Sequence, residues 1–205
     1  MMVNKFMRSL CITTFLAIGL AASFCGSAQA ASIDGMVRCL QSGPRYRGAN
    51  CDAMVGRYWQ IEPLISQVAR SHGMEPALLK ALVAVESGYN PQALSKAGAR
   101  GLTQVIPSTA VSLGQHPDAL WDSKQSLMTG AYYLAAQWHT FRSWPLAIAA
   151  YNAGPGAVKD YRDGTNRSGK NPQMMIVPSG IPPYPETQAY VANVLYLYRL
   201  FSAVT

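Results

Sequence analysis

Apolar residues recur at helical spacing along most of the chain, in segments separated by glycine and proline. No alternating apolar and polar run, as is typical of a strand, extends beyond a few residues. The pattern predicts five main helices, at about 59–73, 76–88, 122–138, 145–151 and 186–201. The longest loop between them, 162–185, is of a length that is usually functional or disordered. The sequence therefore predicts an all-α, mainly helical fold.

The first thirty residues have the features of a secretory signal peptide. Lys5 and Arg8 form a short basic start, residues 10–24 are apolar and uncharged, and residues 28–30 have the small-x-small form of a cleavage site. We therefore expect cleavage after Ala30 and export to the periplasm. An uncleaved membrane anchor is the main alternative.

Two cysteines, Cys39 and Cys51, remain after that cleavage. An even pair in an oxidising compartment favours a disulfide, which would pin a small N-terminal extension over residues 31–56. The helical domain is predicted at 57–205. A metal site is not expected, because no second pair of ligands stands at a usable spacing from the cysteines, and the sequence indicates no cofactor.

The charge of the chain restricts its partners. Lysine and arginine exceed aspartate and glutamate, for a formal net charge of +7. A basic exported protein tends to meet anionic polymers or membrane surfaces. The basic residues are scattered, without a dense run or an aromatic ladder, so nucleic acid is not an expected partner.

Glu86 occupies an unusual position, at the end of the almost wholly apolar segment 77–85. A carboxyl group at the C-terminal end of a buried helix faces the negative end of the helix dipole in apolar surroundings. Both effects raise its pKa. A carboxylic acid that is protonated near neutral pH can donate a proton to a leaving oxygen. The alternative is an ordinary helix-end glutamate in water.

Four short motifs follow one another along the chain. They are ESGYNP at 86–91, GARGLTQVIP at 98–107, AAYNAGPGAV at 149–158 and ETQAYV at 186–191. In this order they resemble the catalytic domain of lytic transglycosylases of the soluble type, which are relatives of goose-type lysozyme. The resemblance covers about residues 61–200. It implies a lysozyme-like domain with a glycan-binding cleft, which cleaves peptidoglycan between N-acetylmuramic acid and N-acetylglucosamine.

The resemblance also implies site residues. Glu86 is the catalytic acid, and the residues implied in substrate binding are Gln104, Tyr151, Asn152, Glu186 and Tyr190. Other interpretations stay open for four of them. Gln104 could serve only a loop hydrogen bond, and Asn152 a helix end. Tyr151 could be core filler, and Glu186 a first-turn acid that complements the helix dipole.

One position departs from the family pattern. The family commonly has methionine where this chain has Thr103. A smaller, polar side chain is expected to change the wall of the cleft, and with it substrate preference more than chemistry.

Most glycosidases use two carboxylates, whereas the sequence offers Glu86 without an obvious acidic partner. The resemblance implies a non-hydrolytic route, in which the 6-hydroxyl of the muramic acid attacks and leaves a 1,6-anhydro end. The alternatives are a hydrolysing muramidase of goose-lysozyme type and a non-catalytic peptidoglycan-binding assembly protein. Expected partners are glycan strands and, as for small enzymes of this kind, a secretion, pilus or conjugation apparatus.

Overall fold

The computed structural model of the protein describes residues 49–203, with residues 49–52 described by their backbone alone. The α-helices of this part are α1 (Ala49–Ser71), α2 (Pro76–Ser87), α3 (Pro107–Ser112), α4 (Ser123–Phe141), α5 (Trp144–Ala153), α6 (Pro155–Asp163) and α7 (Pro185–Ala203). A short 3-10 helix, Pro117–Trp121, precedes α4. Extended pairing within the described residues is limited to isolated bridges in the loop after α2. The prediction of a mainly helical fold is confirmed.

The five predicted helices correspond to α1, α2, α4, α5 and α7. α1 begins at Ala49, so it runs through the predicted boundary between residues 56 and 57. The sequence reasoning missed α3 and the 3-10 helix, which are short. It also missed α6, because the Gly154-Pro155 pair suggested only a break. Pro155 instead opens α6, at a position where proline needs no hydrogen-bonding N–H group.

α2 forms the centre of the fold. Every residue from Ala77 to Ala84 is buried, which is expected for a helix that is apolar around almost its whole circumference. α2 packs against α1 and most extensively against α7, while α5 packs against α4, α6 and α7. Among the described helices, none is long and apolar enough to cross a membrane.

One charged residue, Lys80, lies inside this core with only 5% of its surface exposed. Its Nζ lies 2.7 Å from Oε1 of Glu62 on α1, and the Ser66 hydroxyl donates to the same oxygen at 2.7 Å. Burial alone would raise the pKa of Glu62, but the hydrogen bonds and the charge of Lys80 outweigh it and lower that pKa. The buried ammonium group is therefore paired, as a charge in a core must be.

The C-terminal end of α2 is held by neighbouring segments. Gly88 ends the helix in the left-handed conformation, with φ of 56°. The Arg57 guanidinium of α1 donates two hydrogen bonds to the Gly88 carbonyl, at 3.2 and 3.0 Å. The Ser87 hydroxyl donates to the carbonyl of Leu102 at 2.8 Å. These contacts fix the position of Glu86 relative to α1 and to the loop that carries the second motif.

The long loop between α6 and α7 is built around two buried polar side chains. Asp160, 1% exposed, accepts hydrogen bonds from four donors: Thr165 Oγ1, Arg167 N, Ser168 N and Ser168 Oγ. Asn171 Nδ2 donates to three backbone carbonyls, and its Oδ1 accepts from the Met175 N–H. The loop's carbonyl and N–H groups are thus satisfied by side chains where no helix or strand could satisfy them.

Replacing Asp160 with asparagine should loosen this loop. Burial alone would raise the pKa of Asp160, but its hydrogen bonds outweigh it and hold that pKa far below its usual range. The amide NH₂ of asparagine would face converging donors. We expect Asp160→Asn to lower the Tm by about 5 °C or more and to speed proteolysis between residues 164 and 184.

The Tm difference between the wild type and Asp160→Asn should depend on pH in a definite direction. A depressed pKa means that the carboxylate stabilises the fold above its ordinary pKa near 4 and loses that contribution as pH falls further. The Tm difference between the two proteins should therefore shrink below about pH 4. Asp163→Asn is the matched control, because this carboxylate is half-exposed and bonded only to neighbouring Arg162. An equal loss in both variants would contradict the role given to Asp160.

Candidate active site

A cleft of about 420 Å³ opens where the end of α2 meets the loop at 98–107, the α5–α6 turn and the start of α7. All four sequence motifs meet at this site. Five of the six predicted site residues line the cleft: Glu86, Gln104, Tyr151, Asn152 and Glu186. The sixth, Tyr190, lies behind it and contacts Glu86.

Glu86 and Tyr190 form the contact that ties α2 to α7 at the cleft. The Tyr190 hydroxyl donates a hydrogen bond of 2.5 Å to Glu86 Oε1. Burial, followed by the negative charge of Glu86, raises the pKa of Tyr190 well above its ordinary value. The phenol therefore remains a donor over the physiological range and fixes the orientation of the carboxyl group. That Glu86 itself carries a proton near neutral pH stays a prediction.

Tyr151 supports the other side of the site. Its hydroxyl donates to the backbone carbonyl of Thr103 at 2.8 Å, and its ring packs at 5.2 Å from the ring of Tyr133. Burial and then the charge of Glu86 raise the pKa of Tyr151. The residue is thus buried, as the core interpretation required, and also lines the cleft.

The expectation that Thr103 changes the cleft wall is wrong. The residue is fully buried, and its hydroxyl donates to the backbone carbonyl of Ser126 on α4 at 2.8 Å. Its side chain occupies the space left by Gly130, where an added Cβ would lie 2.4 Å from the Thr103 Cβ. Only the backbone carbonyl of Thr103 serves the site, by accepting the hydrogen bond from Tyr151.

The Gln104 side chain both bonds to its loop and reaches the cleft. Its backbone has a positive φ of 48°, and its Nε2 donates to the carbonyls of Ala93 and Gly101, each at 3.0 Å. Because backbone carbonyls only accept, this contact fixes which end of the amide is the nitrogen. Oε1 has no hydrogen-bond partner among residues 49–203 and is the atom available to a ligand.

The remaining two predicted site residues belong to the third and the fourth motif. Asn152 lies at the end of α5, and its Oδ1 accepts a hydrogen bond of 2.7 Å from the Thr187 hydroxyl. Glu186 is exposed in the first turn of α7 and lines the cleft. This position is compatible with both interpretations made from the sequence. Glu186 can bind a ligand in the cleft, and as a first-turn acid it also complements the helix dipole.

The sequence reasoning missed Lys170, which brings a positive charge to the cleft from the long loop. Its Nζ donates to the carbonyl of Ala153 at 3.4 Å, and its own carbonyl accepts from the Tyr184 hydroxyl at 2.6 Å. The composition of the loop indicated function only in general terms. The contact with Ala153 depends on how the loop folds back, which no local pattern signals.

The remaining site predictions concern ions and the N-terminal region. The part of the chain that the structure describes holds no cluster of three or more histidine, cysteine, aspartate or glutamate side chains suited to a metal ion. Cys39, the side chain of Cys51 and the signal peptide lie outside the described residues. The disulfide and the cleavage after Ala30 stay predictions.

Comparison with known proteins identifies the family of the chain. The family model described as "Transglycosylase SLT domain" matches residues 63–174, more than half of the chain. The chain therefore belongs to the SLT transglycosylase family.

Two relatives show how much of the chain is matched. Membrane-bound lytic murein transglycosylase C of Actinobacillus pleuropneumoniae is 36% identical in an alignment of 116 positions, and the match covers 48% of this chain and 32% of that protein. The soluble lytic murein transglycosylase of Salmonella typhimurium is 33% identical in an alignment of 141 positions, and the match covers 64% of this chain and 21% of that protein. The chain thus spans about a third or less of the length of these two relatives.

Solved structures show the same fold. The lytic transglycosylase Slt of Pseudomonas aeruginosa superposes with a TM-score of 0.54 at 26% identity, covering 69% of this chain and 24% of that one. The 70 kDa soluble lytic transglycosylase of Escherichia coli gives a TM-score of 0.60 at 23% identity, covering 86% and 29%. The predicted lysozyme-like, all-α fold class is confirmed.

The environment of Tyr190 predicts an abnormal titration. Because burial and Glu86 raise its pKa, the tyrosinate absorbance of the wild type and of Tyr190→Phe should coincide up to about pH 10, the ordinary value for tyrosine. The two curves should separate only at higher pH, with circular dichroism used to verify that both proteins remain folded. A titration step at or below that pH that disappears in Tyr190→Phe would contradict this environment.

Proposed function

We propose that this protein is an exported peptidoglycan lytic transglycosylase. It cleaves the β-1,4 bond between N-acetylmuramic acid and N-acetylglucosamine without water and leaves a 1,6-anhydro end. The observation that carries the proposal is the position of Glu86, which lines the cleft of an SLT-family domain with its carboxyl group held by Tyr190. The names of the relatives support the same activity.

Glu86 serves as acid and then as base in this proposal. As a carboxylic acid it protonates the glycosidic oxygen, and the bond from that oxygen to the anomeric carbon breaks. The resulting carboxylate then takes the proton of the muramic 6-hydroxyl while that oxygen attacks the anomeric carbon. Glu86 loses one proton and regains one. No water is consumed, because the attacking group is the 6-hydroxyl of the sugar itself. The N-acetyl group of the sugar can stabilise the cationic intermediate.

The acidic residues of the described part favour this route over hydrolysis. The side chains engaged in structural contacts away from the cleft are Glu62, Glu75, Asp118, Asp122, Asp160 and Asp163. The acids that line the cleft are Glu86 and Glu186. An oriented 6-hydroxyl reaches a high effective concentration, so it needs no separate base to compete with water.

Glu186 is the observation that favours the alternative, a hydrolysing muramidase. Two carboxylates flanking a scissile bond are the usual arrangement of a glycosidase, and the second can activate water. The proposal instead gives Glu186, like Gln104, Tyr151 and Asn152, a role in binding the glycan. The second alternative, a peptidoglycan-binding protein without turnover, would not require a buried tyrosine that orients a carboxyl group in the cleft.

The predicted export places this activity in the periplasm, and the glycan strands of the wall are the proposed partner. The positive net charge of the chain favours binding to an anionic polymer. Service to an envelope-spanning secretion, pilus or conjugation machine stays a prediction from the family resemblance.

Glu86→Gln should abolish wall lysis and leave the fold intact. Glutamine has nearly the same shape but cannot supply the proton, and loss of general acid catalysis typically costs about 10²–10⁴-fold, more where one group serves two steps. Release of soluble muropeptides from purified sacculi measures the effect. The Pseudomonas structure described above is of an inactive variant in which glutamine replaces a glutamate.

The matched control makes the same substitution at the other end of α2. Glu75 precedes the helix, is exposed, and contacts the Tyr198 hydroxyl rather than the cleft. Glu75→Gln should keep near-wild-type lysis. Near-normal turnover by a folded Glu86→Gln protein would remove Glu86 from the mechanism.

The products separate the transglycosylase from the hydrolase. We expect muropeptides that end in 1,6-anhydro-N-acetylmuramic acid, which are lighter by one water than hydrolysis products and lack a reducing end. Mass spectrometry of a sacculus digest, before and after borohydride reduction, distinguishes the two. Exclusively reducing muropeptides would establish the muramidase in place of the transglycosylase.

A further inference from the structure

A buried threonine stands behind one of the cleft residues. Thr187, in the first turn of α7, is 2% exposed, and its Oγ1 lies 2.7 Å from Asn152 Oδ1 at the end of α5. Asn152 lines the cleft, whereas Thr187 does not. The contact therefore joins the third and fourth motifs directly behind the cleft surface.

This contact fixes the orientation of the Asn152 amide. A threonine hydroxyl has one proton, and within residues 49–203 the acceptor for it is Asn152 Oδ1. If the amide were reversed, its NH₂ would face the hydroxyl and this buried proton would lose its acceptor, which is costly. Oδ1 therefore points to Thr187, and Nδ2 is the end of the amide that faces the cleft.

Gln104 is fixed with the opposite polarity. Its Nε2 is held by the carbonyls of Ala93 and Gly101, so it offers Oε1. The cleft thus presents one amide as a donor and another as an acceptor. An acetamido group has the complementary pair, since its carbonyl accepts and its N–H donates. A de-N-acetylated sugar carries an ammonium group instead. An ammonium group cannot accept a hydrogen bond, so it offers nothing to the Asn152 Nδ2 donor.

We propose that Thr187 is a positioning residue, whose hydroxyl sets the Asn152 amide so that Nδ2 binds the acetamido carbonyl of the sugar. This inference rests on the proposed function, because it assumes that an N-acetylated glycan occupies the cleft. It adds a determinant that touches no substrate and acts through Asn152.

The test measures binding separately from turnover. Glu86→Gln protein is titrated with an N-acetylglucosamine oligosaccharide and with its de-N-acetylated counterpart, with and without Thr187→Val. Valine keeps the shape of threonine but removes the hydroxyl. We expect Thr187→Val to weaken binding of the N-acetylated chain by about tenfold, the usual effect of losing one hydrogen bond in a buried site. Binding of the de-N-acetylated chain should be unchanged.

Two further variants separate positioning from general stability. Thr187→Ser keeps the hydroxyl and should restore affinity to within about twofold of the parent. Thr140→Val makes the same change at an exposed threonine on α4, whose hydroxyl bonds only to its own helix, and should have no effect. In the active enzyme, Thr187→Val should raise KM more than it lowers kcat.

Each outcome bears on the inference. Unchanged affinity in Thr187→Val, or an equal loss for both oligosaccharides, would overturn it, and so would failure of Thr187→Ser to restore binding. An active wild-type enzyme with these results would leave the proposed function standing. Failure of the wild type to cleave sacculi, together with acetamido-dependent binding, would remove the transglycosylase and keep the role of Thr187. If Glu86→Gln bound neither oligosaccharide, acetamido recognition would be excluded.

Discussion

The hydrogen bond from Tyr190 to Glu86 joins the two helices on which the cleft depends. α2 is buried along its length, and its last turn is held by Arg57 from α1 and by the loop carbonyl that Ser87 contacts. The carboxyl group therefore projects from a fixed backbone and meets a donor that is itself buried. A functional carboxyl group is positioned most precisely when both its backbone and its hydrogen-bond partner are held in place. Both conditions are met here.

The five main helices could be predicted because their signals are local, and five of the residues that line the cleft could be predicted from the motifs. Helical periodicity and proline positions gave five helices, and the four motifs all lie at one site. However, the order of the motifs predicts that they meet at one site only because it resembles the order in a known family. Periodicity alone would not have placed Glu86 beside Tyr190, since 104 residues separate them in sequence.

Contacts between distant segments account for what the sequence did not reveal. Thr103 was expected on the cleft wall, yet its side chain turns toward α4, where a glycine leaves space for it. The polarity of the Gln104 amide depends on carbonyls that the loop brings together. Lys170 reaches the cleft because Asp160 and Asn171 shape a loop whose composition alone resembles a disordered segment. Each case requires the folded arrangement.

The fit between Thr103 and Gly130 has a consequence for divergence within the family. A Cβ at position 130 would overlap the threonine side chain, and the carbonyl of Thr103 holds the hydroxyl of Tyr151 in the cleft. A side chain at position 130 would displace that carbonyl and, through it, the tyrosine. Position 130 should therefore stay glycine in homologous chains that carry a side chain as large as threonine or methionine at position 103. Selection on the cleft thus reaches a glycine on α4 that contributes no side chain to the cleft.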